Sequence, residues 1–107
     1  MSDKELLELA VKAAGLQEHG WMGDSYCHVV DNTWATFDPL TDDGDALRLA
    51  VKLEINVCYD GLDAVDRGGC GVVTKDGRKF FEPTNGNSNA ATRRAIVRAA
   101  AEIGKDL

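Results

Sequence analysis

Apolar positions recur along this chain with helical spacing in three places and with strand-like alternation in three others. The first helical stretch is "LLELAVKAAG", where Leu6, Leu7, Ala10, Val11, Ala13 and Ala14 form one stripe and Gly15 supplies a stop. Ser2 and Glu5 ahead of it have capping-box spacing. A second helix is expected from Thr41 or Asp42 to about Leu53, with Ala46, Leu47, Ala50, Val51 and Leu53 on its buried side. The third runs through "AATRRAIVRAAAEIGK" after a loop rich in capping residues. Its apolar face is Ala95, Ile96, Ala99, Ala100 and Ile103, with Arg93, Arg94 and Arg98 together on the other side.

Between these lie the strand signals. "YCHVVDNTWATF" reads as a hairpin turning at Asp31-Asn32, because both residues tolerate positive φ. "EINVCYD" is strand-like, and "CGVVTKDGRKFFE" reads as a second hairpin with a two-residue turn at Asp76-Gly77. "LQEHGWMGDS" and "GLDAVDRGG" have no clear period and read as loops. The order helix, hairpin, helix, strand, hairpin, helix lacks βαβ alternation. It predicts one α+β domain over residues 1–107, a mostly antiparallel sheet of about four or five strands packed with three helices.

Composition adds that the domain is of ordinary globular type, 44% hydrophobic and 28% charged. No apolar run approaches the ~20 residues that span a bilayer, so a cytoplasmic protein without a membrane role is expected. Cys27, Cys58 and Cys70 have no CxxC spacing and are expected to be buried, reduced thiols. The net charge of −6 is unevenly spread. Residues 1–66 hold 14 acids against 4 bases, and residues 67–107 hold 8 bases against 4 acids. Direct nucleic-acid binding is disfavoured for so acidic a chain, whereas weak, salt-sensitive self-association between the unlike halves is open.

The densest cluster of potential chemistry is "FDPLTDDGDALRL", with Asp38, Asp42, Asp43 and Asp45 around Gly44. As an EF-hand loop it fails in register. With Gly44 at the sixth position, Pro39 would be first and Ala50 twelfth, where an acid and a glutamate are required. As a helix start it fits. Pro39 breaks the preceding strand, Thr41 or Asp42 caps, Asp43 and Asp45 sit at the positive end of the dipole, and Leu40 clips onto the first turn.

A zinc site from Cys27, His28, Cys58 and Cys70 is disfavoured because strand alternation points Cys27 and His28 to opposite faces. No histidine is placed beside a cysteine nucleophile, and "DRGGCGVV" matches neither phosphate-loop pattern and leads into a strand. Phe80 and Phe81 cannot both point inward, so one is a contact residue if the sheet's other face is open. Arg98 and Glu102 are spaced for an ion pair. No cofactor, metal or catalytic residue is expected. The candidate interaction surface is Asp38, Asp42, Asp43, Asp45, Arg93, Arg94 and Arg98, directed at a protein partner.

Two segments, residues 37–53 and 90–105, together resemble a group of small phage and prophage proteins of the NinX-type and phage α/β/α-sandwich families. In that group an aromatic-Asn-Pro-Leu element opens a helix, and an arginine-bearing C-terminal helix closes the domain. Here the element reads Phe37-Asp38-Pro39-Leu40, with aspartate in place of the asparagine. The resemblance implies a three-layer α/β/α sandwich, a phage or prophage accessory role and no catalytic residues.

The expectation is therefore a non-enzymatic, macromolecule-binding protein. The alternative is an acidic decoy that occupies the DNA-binding surface of a host defence protein, with Asp38, Asp42, Asp43, Asp45, Asp60, Asp63 and Asp66 as phosphate mimics. A small hydrolase or nucleotide-binding enzyme is a weaker third, for which no constellation is present.

Overall fold

The computed structural model describes residues 2–16, 20–23, 25–60, 69–83 and 86–107. In chain order they form α1 (Asp3–Ala14), β1 (Gly20–Met22), β2 (Ser25–Val30), β3 (Thr33–Thr36), α2 (Asp43–Leu53), β4 (Asn56–Asp60), β5 (Gly69–Val73), β6 (Lys79–Pro83) and α3 (Ser88–Lys105). The α+β class holds, with three helices. The expected single sheet of four or five strands is instead two three-stranded antiparallel sheets, ordered β1-β2-β3 and β4-β5-β6. The added strand is β1, inside a stretch whose composition reads as loop. Three residues are too short to show a period, yet Trp21 lies opposite Tyr26 and meets its ring edge-on at 5.0 Å.

α3 is the element around which the helices and the second sheet gather. Its buried side is dominated by alanines, at positions 91, 95, 99, 100 and 101, and so lets neighbouring backbones come close. The tightest approach is at Gly104, where a Cβ would overlap the carbonyl of Leu9 in α1. α1 follows its expected stripe, except that Ala13 is only half-buried, and it is bounded by Ser2 and by Gly15 at φ 64°. On the other side of α3, β4-β5-β6 turns Val57, Cys70, Val72 and Phe80 inward. Phe80 packs on the core while Phe81, 50% exposed, lies across Gly69 on the outer face. The smaller first sheet meets the helices through Trp21, Tyr26 and Phe37.

α2 departs from its expected face. Ala46, Leu49 and Ala50 are buried, and Leu47 and Val51 are 62% and 70% exposed. The helix carries two apolar stripes, 46-49-50-53 and 47-51, and only one can face the core. The core takes the stripe with i, i+3, i+4, i+7 spacing, whose two alanines admit a close approach.

The two hairpins turn differently. Asp31 and Asn32 both have positive φ, 52° and 63°, and join Val30 directly to Thr33 as expected. At the second hairpin only Gly77 has positive φ, and Thr74 N–H donates to Arg78 O at 2.8 Å, which makes the loop three residues long. Thr74 selects this form. Its buried hydroxyl accepts from Arg78 N–H at 2.9 Å and donates to the Asp76 carboxylate, bonds that a two-residue turn would not allow. All three cysteines are free thiols. Cys27 and Cys70 are buried as expected, but Cys58 is exposed because its strand turns it to the uncovered face of the second sheet.

Candidate interaction surface

The aspartate cluster is a set of bonded parts. Phe37 N–H still pairs with Tyr26 O at 2.7 Å, and Pro39 then ends the strand. The carbonyl of Asp38 accepts from Thr41 and Asp42 N–H at 3.1 and 2.8 Å, which turns the chain into α2. Asp42, not Thr41, is the cap, and its carboxylate accepts from Asp45 N–H at 2.8 Å. Asp45 reaches back to the Asp38 amide at 2.9 Å and holds Arg48 at 2.7 Å. This is the logic of a capping box, with the reach back extended from the cap's own amide to one four residues further upstream.

Asp43 points across to α3. It accepts from Arg93 at 2.5 Å and from the Asn89 amide at 3.3 Å, while Arg93 Nε donates to the carbonyl of Leu40 at 2.8 Å. The start of α2 is therefore fastened to the start of α3 by an arginine whose side chain is only 17% exposed, while Asp43 stays largely in solvent. The bond to Leu40 is the partly buried, charge-assisted one, a stronger class than surface pairs.

The three arginines expected together on one side of α3 are each engaged by other elements, with Arg94 and Arg98 sharing Glu82. Arg93 goes to α2. Arg94 reaches Asp3 at the start of α1, at 3.0 Å, and lies 4.0 Å from Glu82. Arg98 pairs with Glu82, donates to Phe81 O at 3.1 Å and lies 5.8 Å from the Phe80 ring. The expected Arg98–Glu102 pair does not form, because β6 presents Glu82 closer to Arg98 and Glu102 turns to Lys105 at 3.1 Å. Of the seven predicted surface residues, six are engaged in bonds between or within elements through their side chains, and Asp38 contributes its backbone. The side chain of Asp60, and Asp63 and Asp66, lie outside the described residues.

The outer side of α2 also carries apolar residues. Beside exposed Leu47 a groove of about 300 Å³ runs between α2 and α3, with Ala46, Val57 and Ile96 as its floor and Asp43 and Arg93 on its rim. Val51 continues the same side of α2 one turn on. A second cleft, about 380 Å³, lies between the β5–β6 loop and the end of α3. Its Arg78 is already paired with Asp76 at 3.1 Å and Asp106 at 2.8 Å.

Among the described residues, the titratable groups with shifted values owe the shift to burial or to nearby hydrogen bonds and charges. Burial pushes the Cys70 thiol up, away from the thiolate a nucleophile requires. Burial also raises Tyr26, with the Glu8 carboxylate adding to it. The Thr74 hydroxyl, with Arg78 beside it, holds Asp76 below its ordinary value, the mark of a structural turn. Among the described residues no group of three metal-ligating side chains converges, and no helix is long and apolar enough to cross a membrane.

No family model matches this chain, and no curated protein or solved structure does either. Leu47 and Val51, like Cys58, were expected to be buried and lie at the surface. The signal that would have found them is the doubled apolar stripe of α2, which offers more apolar positions than one buried face takes.

Proposed function

We propose that this protein is a non-enzymatic accessory module of phage type that acts in the bacterial cytoplasm by binding another protein. The partner docks on the outer side of α2, with Leu47 and Val51 as apolar contacts and the Asp43–Arg93 pair at the rim of the adjoining groove. The observation that carries this reading is the exposed apolar pair set beside an apolar-floored groove. Such a centre with a polar rim is the usual anatomy of a protein interface.

The phage assignment draws on the resemblance of residues 37–53 and 90–105, and those two segments meet at the Arg93 bonds to Asp43 and Leu40. The three-layer sandwich that goes with the resemblance belongs to the same proposal. The packing of β4-β5-β6 on α3 supports two of its layers. The acidic-decoy reading gains less, because Asp42, Asp43 and Asp45 are already held by amides and guanidinium groups of the same chain.

Affinity capture from bacterial lysate, read by mass spectrometry, tests this with the wild type beside Leu47→Asp and Val51→Asp. The proposal expects one enriched protein that both variants lose while they keep the wild-type circular dichroism. A partner held equally by the variants and released by moderate salt would transfer the function to the acidic residues instead.

A further inference from the structure

Among the described residues, four strands form the edges of the two sheets. β6 carries Lys79 and Glu82 and ends at Pro83, β1 is only three residues long, and β4 runs directly into residues 61–68, outside the described ones. β3 has none of these protections. It reads Thr33-Trp34-Ala35-Thr36, without a charge, a proline or a bulge in its pairing with β2.

The register says which groups this edge offers. Val30 and Thr33 flank a two-residue turn and so form a hydrogen-bonded pair. The antiparallel alternation makes His28–Ala35 and then Tyr26–Phe37 the next bonded pairs, and the last is seen as the Phe37 N–H to Tyr26 O bond. Trp34 and Thr36 therefore direct their N–H and C=O groups away from β2. Among the described residues, no backbone group bonds to them on that side.

We propose that β3 pairs antiparallel with β3 of a second copy of this chain, about a two-fold axis through Ala35. The outward residues, 34 and 36, lie symmetrically about Ala35, so Trp34 of one copy falls opposite Thr36 of the other and about four new backbone bonds form. No other segment is needed to complete the edge. The indole of Trp34, 51% exposed on the face away from the helices, meets its symmetry mate diagonally across the new pair. The strand carries no charge that the pairing must bring together. An interface this short is weak and depends on protein concentration.

Sedimentation velocity over a wide concentration range, at low and high salt, reads the association. The expected result is a dimer fraction that rises with concentration and is indifferent to salt. Thr36→Pro, which removes an outward N–H, and Trp34→Lys, which places a charge on the edge, each weaken it at least tenfold. In a Cys58→Ser background, Ala35→Cys forms an oxidised dimer across the axis, and Thr33→Cys, displaced from its own mate, does not. The crosslink decides the register even if one edge variant folds poorly. A monomer at every concentration, a dimer dissolved by salt, a dimer untouched by both edge variants, or crosslinking at Thr33 in place of Ala35 would each overturn the proposal.

Discussion

Around the first turn of α2 the charged groups are matched almost one for one: Asp42 with an amide, Asp45 with an amide and Arg48, Asp43 with Arg93. One turn further along the same helix Leu47 and Val51 stand largely in solvent. The first region joins elements, and the second is free to join molecules. Exposed charge is ordinary on a protein surface, whereas adjoining exposed apolar side chains beside an apolar-floored groove are what the proposed partner would cover. The difference teaches that a polar cluster is read by what it is bonded to, and an apolar one by what it is not.

The comparison predicts that changes in the joined region cost stability, while changes on the free side of α2 leave stability alone and cost binding. The largest effect belongs to the seam of α3 with α1. Gly104→Ala forces the two helices apart at Leu9 and should cost about 2 to 3 kcal/mol, the range of an overpacked core, seen as a lower urea midpoint. Arg93→Ala comes next, at about 2 kcal/mol, because it leaves the half-buried Leu40 carbonyl without its donor and takes the guanidinium from Asp43, which keeps the Asn89 amide. Asp42→Ala removes one cap and should cost about 1 kcal/mol in the same urea titration.

How far these regions were legible in the sequence depends on the range of the interaction. The caps at Ser2 and Asp42, the stop at Gly15 and the turn at Asp31-Asn32 are settled by neighbours within four residues, and each stands where the local pattern puts it. Asp43–Arg93 spans 50 positions and Arg94–Asp3 spans 91, so the destination of those charges was invisible. The choice between the two stripes of α2 was likewise made by the alanine surface of α3. β1 was missed because three residues carry no period. The second hairpin was misread because Thr74, outside the Asp76-Gly77 pair, sets its length.

Smaller effects sharpen the contrast. Leu47→Asp and Val51→Asp should each change the unfolding free energy read from the urea titration by no more than about 0.5 kcal/mol, the scale of an exposed site, despite replacing large apolar side chains. A loss near that of Arg93→Ala would place them in the core after all. The smallest signal is at the β5–β6 loop. Asp76 is held below its ordinary 3.8 by Thr74 and Arg78, so its contribution is fully present above that value and is lost as pH falls through the lower folded value. In acid unfolding followed by circular dichroism, Asp76→Asn should lack that part of the wild-type loss below about pH 4. A variant with the wild-type acid profile would show that the turn is held by its backbone alone.

The central claim is that the apolar side of α2, and not the charged joint, meets the partner. It is tested most directly by capturing the partner in about 1 M salt, where the Debye length is about 3 Å and exposed charge pairs are screened. Wild type should retain it under those conditions and Leu47→Asp should not. Release of the partner from wild type by salt, with Leu47→Asp binding as well as wild type at low salt, would contradict the account.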